Sequence, residues 1–153
     1  MFSAVYWSGG KSQTPNQDSL FLERMQTGRG EFTVAAVCDG IGGLPRGEIA
    51  SGYVTERLLS LTYDDLLPRI HHGQFGGGIR RSVLRALYDC KEKMKEYAAA
   101  NGLHFGTTLV CVCVLQNRFI AFHTGDSRAY LLRRLYRQGK NGGIKALFRD
   151  DVR

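Results

Sequence analysis

The chain is 153 residues long, 43% hydrophobic and 23% charged, with a formal charge of +7. That length predicts one domain with a sizeable core, and no low-complexity tract, internal repeat, transmembrane span or secretory signal is read in the sequence. Between Arg128 and Arg153 eight Lys or Arg stand against two Asp, placing +6 of the charge at one end. Without interleaved aromatics or a nucleic-acid-binding signature, this stretch reads as a basic, mobile tail over 135–153, with neither nucleic acid nor membrane as partner.

Residues 2–7 and the run SLFLER from Ser19 predict two short strands. EFTVAAVC (31–38) is almost continuously apolar and predicts a strand buried on both faces. After Pro45, Ile49, Tyr53, Val54, Leu58 and Leu61 form one stripe of a helix from about Gly47 to Leu61. A loop is expected next, holding Pro68, His71, His72 and the Gly76-Gly77-Gly78 triplet. Ile79, Val83, Leu87, Cys90, Met94 and Tyr97 then step by three or four, the pattern of a second helix that Asn101-Gly102 stops. TTLVCVCVL (107–115) has no helical period, and Gln116-Asn117 turns it into a hairpin with RFIAFHT (118–124). Gly125-Asp126-Ser127 makes a further turn into the strand RAYLL (128–132).

Two apolar-faced helices beside several buried strands predict an α+β fold, in a layered α/β/β/α arrangement. Cys38, Cys90, Cys111 and Cys113 lie in apolar segments without a CxxC pair, which suits buried, reduced thiols in a cytoplasmic protein.

Four short stretches carry chemistry: NQDS (16–19), DGIGGLPRGEIAS (39–51), GTT (106–108) and GDSRAY (125–130). Taken singly, each has an ordinary reading as a turn or a cap. An aspartate at a strand end followed by glycines also suits a cation, since a carboxylate and an open backbone carbonyl are hard oxygen donors. The adjacent His71 and His72 point apart and have no third ligand, and SGGKS (8–12) lacks the first glycine of a P-loop.

In this order the four stretches resemble the metal-dependent serine/threonine protein phosphatases of type 2C, in their compact bacterial form. The resemblance implies an α/β/β/α sandwich, Mn²⁺ or Mg²⁺ as cofactor, and hydrolysis of phosphoserine or phosphothreonine in a phosphorylated protein substrate. It implies that Asp39 bridges two metals, that the Gly40 carbonyl ligates one, and that Asp18 stands beside the cluster. Asp126 matches a residue that holds an additional, weaker metal, and Glu48 supports the first turn of the helix.

Three departures from the family pattern accompany these matches. Gln13 stands where the family has a phosphate-clamping arginine, leaving Lys11 as the nearest phosphate-binding cation. Ile41 replaces a histidine found in many eukaryotic members. The family's later Ser-Asp-Gly and Asp-Asn segments, which complete the metal cluster, have no counterpart after Asp126. The chain therefore reads as a partial type 2C domain over 1–153, C-terminally truncated, with absent or weak activity. The alternative is a non-catalytic binding module or half of a split phosphatase, pairing through an exposed sheet with a second polypeptide or with itself.

Overall fold

In the computed structural model, residues 16–41, 46–132 and 143–148 are described. Strands β1 (Asp18–Thr27) and β2 (Gly30–Asp39) pair antiparallel along their whole length around the Gly28-Arg29 turn. The chain then leaves the sheet for α1 (Gly47–Leu61), a π-helical turn (Thr62–Leu66), α2 (Leu67–His71) and α3 (Gly77–Asn101). It returns as the hairpin β3 (Leu109–Leu115) and β4 (Arg118–Thr124). The sheet order is β1-β2-β3-β4 with every neighbour antiparallel. A separate two-stranded sheet joins β5 (Tyr130–Leu132) to β6 (Ile144–Ala146). Part of the expected tail is thus a strand; the strand expected at 2–7 lies outside the described residues, as does most of the remaining tail.

One face of the sheet takes the helices. Phe32, Val34, Ala36 and Cys38 of β2 alternate toward them, joined by Leu109, Cys111, Cys113 and Leu115 of β3. Against these α1 buries Ala50, Val54, Leu58 and Leu61, and α3 buries Ile79, Val83, Ala86 and Cys90. Each large apolar side chain withdrawn from water here contributes about 1.5–3 kcal/mol. All four cysteines are free and buried, as their apolar settings suggested.

The opposite face corrects the expectation that 31–38 is buried on both sides. Leu20, Val37, Val110 and His123 stand in one row across the strands, with Leu22, Ala35, Val112 and Ala121 in the next. Among the described residues no helix packs on this face, and Val37 is 47% exposed. The strand is apolar on both sides, so its composition does not reveal which side is covered. Phe148, just after β6, stacks on the His123 ring at 4.7 Å, so a second layer begins to form over this outer face.

Two further expectations are revised. Residues 62–71 are helical, not a loop: Thr62 bonds back to the Leu58 carbonyl at 2.8 Å, and Pro68 sits in the first turn of α2, where its missing N–H costs nothing. In α3, Leu87 and Met94 are only half-buried and Tyr97 is exposed. Beyond Cys90 none of the α3 side chains is fully buried, so the last three turns of this 25-residue helix are only partly covered. Gly102, in the left-handed region at φ 62°, ends the helix as expected. Among the described residues no helix is long and apolar enough to cross a membrane.

Candidate active site

Asp18 and Asp39 form the first pair of the β1–β2 ladder, directly opposite one another. One residue beyond, the Gly40 N–H donates to the Gln17 carbonyl at 3.1 Å, while the N–H and C=O of Asp39 turn the other way, toward β3. Asp18 and Asp39 are therefore a non-hydrogen-bonded antiparallel pair. Such pairs bring the Cα atoms to about 4.5 Å and put both side chains on one face. Here that face is the open, outer one, and both aspartates are exposed at its end.

Asp39 is held by the GTT segment. Its carbonyl accepts hydrogen bonds from the Thr108 N–H at 2.8 Å and the Thr107 hydroxyl at 3.0 Å, and its N–H donates to Thr108 Oγ1 at 3.2 Å. The buried Thr108 hydroxyl also shares a 2.6 Å hydrogen bond with Ser127 Oγ, which ties the Asp126 turn to the same point. The sequence marks GTT as a motif but gives it no task, because a hydroxyl bonding to backbone leaves no periodic trace. Thr108→Val is expected to strand the Asp39 N–H and the Ser127 hydroxyl, lowering stability by about 1–2 kcal/mol in denaturant titrations.

Helix α1 is fastened to the same strand ends. Ser51, fully buried, donates to the Gln17 carbonyl at 2.5 Å and lies 3.1 Å from Ser19 Oγ. Asn16 accepts the Asp18 N–H at 3.0 Å through its side chain, so the Asn of NQDS sets the backbone of the aspartate two residues on. A Cβ on Gly40 would lie 2.6 Å from the Gly47 carbonyl carbon and 2.8 Å from Gln17 Cβ. Glycine at 40 is thus required by the close approach of helix and strand, a reason additional to the open carbonyl expected from the sequence. Glu48 lies in the first turn of α1, exposed.

Partial desolvation holds the Asp39 carboxyl above its ordinary value, aided by the charge of Asp18, a hydrogen bond with it, and the charge of Asp126. NQDS, the start of DGIGG (39–41), GTT and GDSR therefore converge at one end of the sheet. A carboxyl whose folded pKa is raised contributes stability below its unfolded pKa of about 4 and loses it as pH rises through the folded value. In chelator, wild type is therefore expected to lose stability relative to Asp39→Asn as pH climbs from about 3.5 to 7. Thermal melts of both proteins check this, and added Mn²⁺ should offset the wild-type loss at neutral pH.

The donor chemistry at this end is carboxylate and carbonyl oxygen, which fits a hard dication such as Mn²⁺ or Mg²⁺. The set is sparse: among the described residues no group of three or more His, Cys, Asp or Glu side chains is arranged to hold a metal ion. Asp126 acts on Asp39 through its field. Lys11, Gln13 and the glycines at 42 and 43 lie outside the described residues.

Fold and site define an α+β protein with helices on one face of an antiparallel sheet and facing carboxylates at the sheet's end. The sequence profile of protein phosphatase 2C matches residues 8–152, and the chain belongs to that family. It is 31% identical over 147 residues to the serine/threonine protein phosphatase PstP of Mycobacterium tuberculosis, covering 94% of this chain and 24% of that protein. It is 30% identical to a putative protein phosphatase of Mycoplasma pneumoniae, covering 80% of this chain and 47% of that one.

Among solved structures it superposes on Stp1 of Staphylococcus aureus with a TM-score of 0.71 and 26% identity, over 92% of this chain and 50% of the other. For the M. tuberculosis PstP/Ppp structure the TM-score is 0.68 and the identity 27%, over 94% and 52% of the two chains. The chain thus spans between a quarter and a half of these relatives.

Proposed function

We infer that this chain serves as a protein serine/threonine phosphatase, hydrolysing phosphoserine or phosphothreonine in phosphorylated proteins with Mn²⁺ or Mg²⁺. The observation that carries this reading is the direct opposition of Asp18 and Asp39 at the open end of the sheet. Two like charges placed face to face destabilise a sheet unless a cation or a shared proton lies between them, and the carboxylate and carbonyl oxygens here suit a cation.

In this reading Asp39 and the Gly40 carbonyl hold the cation, Asp18 adds a second negative charge beside them, and Asp126 holds an accessory ion. When bound, the cation lowers the pKa of a water for in-line attack on phosphorus, so no covalent enzyme intermediate is required. Thr107, Thr108 and Ser51 keep the strand ends in place while the carboxylates neutralise the charge. Lys11 offers a point charge to the substrate phosphate. Reduced thiols suit a cytoplasmic setting.

With so few carboxylates, this chain alone binds its ions weakly and turns over slowly. A second reading draws on the apolar outer face, where Val37 and Phe119 are 47% and 45% exposed. Here that face pairs with a second polypeptide or a second copy, and the chain is a binding module or one half of a split enzyme.

Hydrolysis of a phosphothreonine peptide at rising protein concentration, in excess Mn²⁺ and in chelator, separates the two readings. Mn²⁺-dependent turnover proportional to protein supports the first. Turnover that rises with the square of protein concentration, alongside dimerisation, supports the second. No turnover and no Mn²⁺ binding by a folded chain would reject the phosphatase reading.

A further inference from the structure

An apolar trench lies beside α3, and the phosphatase reading does not use it. A cavity of about 740 Å³ lies between α3 and the 103–107 segment, walled by Ile41, Leu87, Tyr88, Met94, Phe105 and Thr107. A second, of about 480 Å³, lies between α3 and α1, walled by Ile49, Tyr53, Met94, Tyr97 and Phe105. They meet at Met94 and Phe105, and the Phe105 ring packs edge-on to Tyr97 at 5.9 Å.

From Leu84 to Ala98 the trench follows α3 for about 21 Å. Leu84 (49% exposed) and Tyr88 (64%) stand open to water at one end. Large apolar side chains clustered and exposed in this way mark an interaction site. The charges around it are of one sign. Lys91 and Lys95 line the first cavity, whereas Asp89, Glu92 and Glu96 of the same helix line neither cavity.

We propose that this trench is a docking groove for an acidic, amphipathic segment of a partner protein, laid along α3 with its apolar face on Met94 and Phe105 and its carboxylates on Lys91 and Lys95. The length of the first cavity along α3 matches a helix of about 14 residues, and its lysines select the charge. Ile41 and Thr107 belong both to the groove wall and to the segments flanking Asp39, so the docked partner lies within two residues of the carboxylate pair. The groove stands independently of the reaction proposed above.

The test uses the full chain and a fluorescein-labelled helical peptide of about 14 residues, with leucines at positions i, i+3, i+4 and i+7 and glutamates flanking them. A second peptide carries lysines in place of the glutamates. By fluorescence anisotropy the glutamate peptide is expected to bind about tenfold or more tighter than the lysine peptide. Lys91→Glu with Lys95→Glu should reverse that preference, and Ala98→Trp, which fills the groove, should weaken the glutamate peptide about tenfold.

Circular dichroism verifies folding of each variant. Should Ala98→Trp fail to fold, the surface pair Leu84→Ser with Tyr88→Ser carries the same expectation. Equal binding of the two peptides, a preference untouched by the lysine reversals, or binding of dodecanoate without binding of peptide would overturn the proposal.

Discussion

Gly40→Ala is expected to lower the stability of the fold by about 3 kcal/mol, and the thermal midpoint by roughly 6–12 °C. The added methyl would sit 2.6 Å from the carbonyl carbon of Gly47 and 2.7 Å from its oxygen, both backbone atoms of the first turn of α1. No rotamer relieves such a clash, so α1 must lift from the end of β2 or β2 must bend. Either movement disturbs the Ser51–Gln17 bond that joins helix to strand, and with it the register that faces Asp18 with Asp39.

Gly52→Ala in the same helix is the control. Its methyl meets only Ser19 Oγ, at 4.0 Å, so alanine should stabilise the chain by about 0.5–1 kcal/mol through helix propensity. Equal effects of the two substitutions in thermal melts would show that the contact between helix and strand end does not hold the site.

Asp39→Asn separates chemistry from structure. Asparagine keeps the shape and the backbone bonds to Thr107 and Thr108 but removes one of two opposed charges. Hydrolysis in Mn²⁺ is expected to fall at least about 100-fold, corresponding to about 2.7 kcal/mol of lost transition-state stabilisation. The metal-free fold is expected to gain up to about 1 kcal/mol, the usual cost of like charges directly opposed across strands. Activity that survives the substitution would remove Asp39 from the metal centre. A large loss of stability would mean that the carboxylate has a structural partner in place of a cation.

Much of this architecture is legible in the chain. The stripe after Pro45 marks α1 at the bounds it adopts, and the alternation and turn signals of 107–124 mark the β3–β4 hairpin, because local periodicity is what decides those elements. The convergence of Asp18, Asp39, Thr108 and Asp126 is legible only through family resemblance, since nothing local brings these residues together.

What was missed has physical causes. Val37 and Ala35 are as apolar as the covered side of β2, so composition could not distinguish the open face. Pro68 reads as a loop signal, although a proline in the first turn of a helix breaks no bond. The stepping of Leu87, Met94 and Tyr97 records an apolar stripe but not how much of it the fold covers, and the uncovered part borders the groove along α3.

Mn²⁺ binding to wild type, Asp39→Asn and Asp18→Asn, followed by electron paramagnetic resonance of free Mn²⁺, tests most directly whether the opposed aspartates form a cation site. Wild type is expected to remove Mn²⁺ from solution, Asp18→Asn to do so more weakly, and Asp39→Asn to keep only the weak uptake of the accessory site at Asp126. Equal uptake by wild type and Asp39→Asn, or none by a folded wild-type chain, would contradict a metal centre at the ends of β1 and β2.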